Sequence, residues 1–453
     1  MGKELTSGNV PRTMIKFAGP MILGNLLQQC YNIADTLIVG QVLGAGALAA
    51  VGSAYTLMTF LTSILIGLCM GSGSVFSYYY GRQDYLRMKD GILASFLFIG
   101  GISILMNIIV FAGLDGILQL LQTPASLEGL MREYVWLIFW GIFFVFLYNY
   151  YAFLLRSVGD SVTPLWFLGI ASVLNIILDL WFVMGLHWGI GGAAIATVIA
   201  QIVSGVGIGV YTWWKEPGLR ADFGRTRRAM GQMKEIVRFS LAASIQQSVM
   251  NFGILMIQGL VNSFGTVVMA AYAAAVKIDS FAYMPAQEFG NSFSIFISQN
   301  HGAGKRERIG EGVRAAVMIS VVFCVIASVF VFLTAPYLMM IFVNSGETEI
   351  IYVGVGYLRV EGSFYCGIGI LFLLYGYYRG IGCPGMSVML TVISLGTRVL
   401  LAYTLAPVPK IGVWGIWWAI PIGWLLADVT GLVVMGKKRK SKKLTMKYRN
   451  RAG

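Results

Sequence analysis

Asn175 and Asp179 stand four residues apart in SVLNIILDLW, which places an amide and a carboxylate on one face of a helix. The surrounding stretch is apolar and long enough to cross a bilayer, and so is the stretch from Met14 to Gly40, which carries Asp35 near its far end. A carboxylate inside such a segment is expensive, so it marks a functional site by default. Together with Thr197 in GGAAIATVIAQ, these groups could hold one proton, or a sodium ion through oxygen ligands, and release it when the cavity is hydrated. The competing reading places Asp179 as a helix cap or a snorkelling side chain, because WFVMGLHWG follows at once, and lets Asp35 slide to the interface. Asn25, Gln28, Gln29, Asn32 and Thr36 repeat at helical spacing beside Asp35, so one side of that helix is polar and must face a bundle interior or a cavity.

The second half of the chain offers a different set. Gln246, Gln247 and Asn251 occupy its first apolar stretch, which has no acid. Lys277 and Asp279 follow, two positions apart and therefore on different helix faces, with Glu288 further on. Glu361 and Tyr365 are spaced to share a face, and Arg398 lies in a later stretch. These residues read equally as structural ion pairs or as groups that bind substrate or a coupling ion.

Positioning such groups takes a bundle of membrane helices. Of 453 residues, 57% are hydrophobic and 12% charged, about half the charge of a soluble domain. The apolar runs are too long and too uniform for the alternating strands of an outer-membrane barrel. Spans are expected at 14–39, 50–78, 91–113, 132–155, 162–184, 190–213, 236–262, 268–298, 312–335, 351–378, 386–406 and 412–436, with the glycine-rich link 40–49 as a turn. The fold class is an all-α integral membrane protein of twelve transmembrane helices.

The net charge of +13 is distributed by side. Basic residues crowd alternate turns, the segment 214–235 and the tail KKRKSKKLTMKYR, whereas the other side holds little beyond Arg132, Arg359 and Lys410. This is the positive-inside bias, which puts both termini in the cytoplasm and basic turns against anionic lipid, with no role for nucleic acid. The opening MGKELTSGNVPRTM reads as a cytoplasmic segment, not a signal peptide. HGAGK at 301–305 lacks the first glycine and final hydroxyl of a phosphate loop, so no nucleotide cofactor is expected. Cys30, Cys69, Cys324, Cys366 and Cys383 are scattered and spell neither a disulfide framework nor a metal site.

The chain then repeats itself. Lys16-Phe17 returns as Arg238-Phe239, Gly81 as Gly302, Gly91 as Gly312, Arg156 and Gly159 as Arg379 and Gly382, and Gly192 as Gly415, at offsets of 221 to 223. Two parallel six-helix bundles follow, related by a pseudo-two-fold axis along the membrane normal. The expected organisation is a 1–13 segment, bundles over 14–213 and 236–436, a linker at 214–235 and a tail at 437–453. Duplicated halves around a long loop suit an alternating-access carrier better than a channel. With 27 Phe, 22 Tyr, 11 Trp and 22 Met, the chain has aromatic belts and a soft interior wall suited to apolar or cationic substrates.

YNIADTLIVGQVLGAGALAAVG at 31–52, the GRQD turn at 81–84, RSVGD with its following proline at 156–164 and RGIGCPG at 379–385 resemble the multidrug and toxic compound extrusion (MATE) family of bacterial secondary transporters. The resemblance implies a V-shaped carrier of two six-helix bundles. It would sit in the bacterial inner membrane as a monomer and export small amphipathic or cationic compounds against protons or sodium. Asp35, Asn175, Asp179 and Thr197 match the amino-lobe coupling residues of the DinF/MepA-type branches. The NorM-type pattern has an acid in span seven, where this chain has glutamines, although Glu361 remains in span ten. An exporter or flippase of a lipid-linked or metabolite substrate from the same superfamily is the alternative, and it would call for a more basic interior than Lys277 and Arg398 provide.

Overall fold

The computed structural model describes residues 4–120 and 125–449, and those residues are all helix, turn and coil. The helices are α1 Val10–Gly81, α2 Tyr85–Ala112, α3 Leu114–Leu120, α4 Ala125–Ile138, α5 Ile142–Ser157, α6 Val162–Asp179 and α7 Gly189–Lys215, then α8 Thr226–Asn262, α9 Thr266–Gly302, α10 Arg306–Phe342, α11 Thr348–Gly362, α12 Tyr365–Gly380, α13 Pro384–Leu405 and α14 Trp414–Arg449. Among the described residues, ten helices are long and apolar enough to cross a membrane, and α11 with α12 makes an eleventh, bent span. The expected first span is helical throughout, with its row of amides and Asp35 along one stretch.

The structure places the breaks around the expected spans. The turn expected in the link 40–49 falls at Gly44, with φ 84° and ψ −178°: there α1 divides into two helices that meet at a kink, the second spanning Gly46–Gly81. That conformation is open to glycine and essentially closed to side chains, so this one residue supplies the turn between the first two spans. Gly44→Ala is therefore expected to lower stability by about 1–3 kcal/mol, read as an earlier thermal unfolding midpoint in detergent. No heavy atom lies within 4 Å of the added carbon, so backbone strain is the whole effect. The expected span 351–378 is broken at Ser363–Phe364, where the axis turns by 51°. The segment expected as linker, 214–235, already contains the start of α8 at Thr226, preceded by two short 3₁₀ turns.

The chain forms two compact units. The first comprises 1–248 with 295–312 and 379–382, so the end of α9 and the start of α10 pack with the earlier helices. Within it the backbones of α1 and α9 nearly touch. A Cβ on Gly81 would lie 2.0 Å from the Gln299 carbonyl oxygen, and one on Gly302 equally 2.0 Å from that of Tyr78. The Gln299 side chain then ties the junction together: its Nε2 donates to Ser157 O at 2.7 Å, and its Oε1 accepts from Leu5 N at 3.0 Å. Arg308 donates to the carbonyls of Ser7 and Gly8 at 2.6 and 2.7 Å, and Lys305 donates to Thr6 O at 2.8 Å. Apart from the bond to Ser157, each of these satisfies a main-chain group of the amino-terminal segment, which is why that segment has a defined path. The same unit pins its long loop through the bidentate Arg225–Asp90 pair, at 2.6 and 3.1 Å, and through Tyr79 OH, which donates to Glu235 at 2.6 Å.

The second unit comprises 249–294, 313–378 and 383–453. Its most extensive helix pairing is α13 with α14. Tyr272, Tyr357 and Trp417 form a buried aromatic block, with Tyr272 and Trp417 stacked at 5.7 Å and Tyr357 edge-on to Trp417 at 4.9 Å. α14 continues without a break to Arg449, so the basic tail prolongs the last membrane helix.

Candidate functional site

In the first unit α1, α6 and α7 pack together and bring all four amino-half candidates to one place. Asp179 is fully buried at the last turn of α6, where the chain widens into a π-helical turn, Leu180–Gly185. That burial removes the alternative of a snorkelling or capping carboxylate. π-turns within helices occur often at functional positions because they re-aim the side chains beside them. With the Asn175 amide oriented to satisfy both of its ends, its nitrogen donates to Asp179 Oδ2 at 3.1 Å and its oxygen accepts from Thr197 N at 3.3 Å. The Thr197 hydroxyl is also 3.3 Å from the Asn175 side chain.

Asp35, half-buried on α1, lies close enough to Asp179 for the two carboxyl groups to interact. Two carboxyl groups can bond to each other only when one carries a proton, because an ionised carboxylate is acceptor-only. Such a pair could share one proton, and Asp35 Oδ1 and Asp179 Oδ1 are both buried without a hydrogen-bond partner. Those oxygens, with the Asn175 and Thr197 side chains, are the hard donors that a sodium ion would also use.

Three tyrosines complete the site and escape the sequence reading. Tyr31 and Tyr134 lie within electrostatic range of both the Asp35 and Asp179 carboxyl groups, and Tyr55 within range of Asp35. Asn32 reaches the Tyr55 hydroxyl at 3.4 Å. Tyr31 had a signal in the sequence, since it precedes Asp35 by four positions and shares its helix face. Tyr55 and Tyr134 had none, because their approach depends on how α1 folds back at Gly44 and how α4 packs.

The carboxy-half candidates divide. Asp279 of α9, Glu361 of α11, Tyr365 of α12 and Arg398 of α13 are all buried and gather beside Tyr272 and Tyr357. Lys277 is exposed while Asp279 is buried, as their two-residue spacing requires. Glu288 accepts a hydrogen bond from Asn291 at 3.3 Å. Gln246, buried, and Gln247, half-buried, belong to the first unit, whereas Asn251 lies half-buried in the second. Glu361 and Tyr365 thus come from two helices that meet at the 51° break, not from one continuous helix face.

The MatE family profile matches residues 20–181 and again 242–404, so each half of the chain is one copy of the family's repeat. The chain belongs to the multidrug and toxic compound extrusion family. The two matched segments are displaced by 222 to 223 residues, in agreement with the offsets between the repeated glycines and basic residues. A probable multidrug resistance protein of Bacillus subtilis, YpnP, is 30% identical over 86% of this chain and 87% of its own length. A probable multidrug resistance protein NorM of Thermotoga maritima is 24% identical over 93% and 90%. A crystal structure of a MATE transporter in a bent conformation superposes with a TM-score of 0.89 at 23% identity, covering 98% of this chain and 99% of that one. The matched relatives carry names from both the NorM and the MepA branches, so the likeness reaches the family and stops short of the branch. As a MATE-family chain this is a multi-pass secondary active transporter and not an enzyme.

Proposed function

We propose that this transporter exports small amphipathic or cationic compounds by alternating access, driven by proton uptake at Asp35 and Asp179. The nearness of these two carboxyl groups carries the reading, since neighbouring acids in a low-dielectric site can hold one proton between them. Asn175 and Thr197 act as positioning residues: Asn175 orients the Asp179 carboxyl, and Thr197 holds the Asn175 amide. A sodium ion on the same oxygens is the second reading, favoured by the two buried carboxylate oxygens that lack a protein partner. The names of the relatives support multidrug substrates. The two acids of the amino half support a closer relation to the DinF/MepA-type branches than to the NorM type. Asp279, Glu361, Tyr365 and Arg398 form a second polar centre that contributes to substrate binding or coupling. The moving bodies are the repeats 14–213 and 236–436 of a monomer in the bacterial cytoplasmic membrane, with both termini inside.

The test uses the purified full chain in vesicles loaded with a fluorescent organic cation. An imposed inward proton gradient is expected to drive its efflux, with sodium adding nothing at fixed pH. Efflux that follows sodium alone transfers the site to the second reading. If neither gradient moves any member of a broad panel of organic cations, cation antiport is withdrawn in favour of a lipid-linked or metabolite substrate.

A further inference from the structure

A groove of about 330 Å³ opens on the surface of the second unit, between α10, α11 and α14. Phe332, Tyr352, Phe364, Trp414 and Trp418 line it, and all five are exposed. The outward face of α10 continues the apolar surface through Leu333, Tyr337 and Ile341, so the groove opens toward the bilayer and not into the bundle. One charged side chain enters this wall, that of Arg359. Its guanidinium lies 5.4 Å from the centre of the Phe332 ring. No carboxylate lines the groove, and among the described residues none lies within ion-pair distance of Arg359.

The depth of Arg359 follows from the helix it occupies. Arg379, at one of the basic turns, is twenty residues further along the same broken span, which at the helical rise is about 30 Å, the thickness of the hydrocarbon core. Arg359 therefore stands at the opposite interface, at the level where tryptophans such as Trp414 and Trp418 settle. A guanidinium exposed to lipid at that depth is stable only against water or a headgroup anion. Planar guanidinium pairs with phosphate oxygens in bidentate fashion, and an aromatic wall with no competing acid receives an acyl chain.

We propose that this groove is a binding site for an anionic phospholipid of the leaflet opposite the basic turns, with its phosphate on Arg359 and an acyl chain along Phe332, Trp414 and Trp418. The site lies at the elbow of the broken span. Ser363, at the break, donates its hydroxyl to the Arg359 carbonyl at 2.6 Å, and Glu361, two positions on from Arg359, is buried on the other side of the helix. A bound headgroup would therefore rest on the turn that also carries Glu361.

Native mass spectrometry of the full chain, released from micelles containing equal amounts of phosphatidylglycerol and phosphatidylcholine, tests this. The parent is expected to retain one phosphatidylglycerol in preference to phosphatidylcholine. Arg359→Gln is expected to reduce that retention about fivefold, the loss of a single cation at a lipid surface. Arg359→Lys should restore most of it, and Lys410→Gln, which removes an exposed cation outside the groove, should leave it unchanged. Equal retention by Arg359→Gln overturns the proposal, as does an equal loss in Lys410→Gln. Displacement of the lipid by millimolar inorganic phosphate also overturns it, because the groove would then be a simple anion site.

Discussion

Asp179→Asn and Asp35→Asn are each expected to reduce proton-driven efflux of an organic cation by about tenfold or more, the consequence of losing at least ~1.4 kcal/mol of ion affinity. The substitution preserves shape. An asparagine at 179 can still pair with Asn175, so the hydrogen bond at 3.1 Å has a replacement and the helix junction keeps its packing. What disappears is the ability of the pair to share a proton, since an amide beside a carboxylate forms its bond with no proton taken up. Folding should therefore be retained, with a thermal midpoint near that of the parent, while efflux no longer responds to the gradient. Substrate binding measured without a gradient separates this result from general damage and should persist in both variants. If each variant effluxes like the parent, the coupling site lies elsewhere, and the buried cluster of Asp279, Glu361 and Arg398 becomes the next place to look.

Gly81→Ala is expected to produce the largest structural effect, because its new carbon would lie 2.0 Å from the Gln299 carbonyl oxygen, where ordinary carbon–oxygen contacts begin near about 3.3 Å. The obstacle is backbone and not a side chain that could rotate away, so α1 and α9 must separate. Overpacking of this kind costs about 1–3 kcal/mol. Separation also withdraws Gln299 from Leu5 and Ser157, so the amino-terminal segment should become sensitive to protease at the same time. Gly302→Ala meets the Tyr78 carbonyl at the same distance and should behave alike. Gly101→Ala in α2 is the control, since nothing lies within 4 Å of its added carbon. Parent-like thermal midpoints and proteolysis in both Gly81→Ala and Gly302→Ala would show that the close crossing does not hold the unit together.

Hydropathy, the side bias of Lys and Arg, and the repeated glycines made the all-α membrane fold, the positions of most spans and the duplication legible from residues alone. These signals are set by the bilayer, whose thickness and charge asymmetry act on each segment separately, so local sequence carries them. The i,i+4 pair of Asn175 and Asp179 was legible for the same reason: the helix itself fixes their common face. Features that depend on how one helix lies against another were not. No periodicity marks Ser363–Phe364 as a break that parts Glu361 from Tyr365. The meeting of Asp35 with Asp179, the arrival of Tyr134, and the division of the second set into a buried cluster and an exposed Lys277 are set by rotation and packing among α1, α4, α6 and α7 and among α9, α11, α12 and α13. A membrane helix shows its polar face in sequence, but the partner that face meets is chosen by side-chain fit across the bundle, and that fit exists only once the helices are assembled.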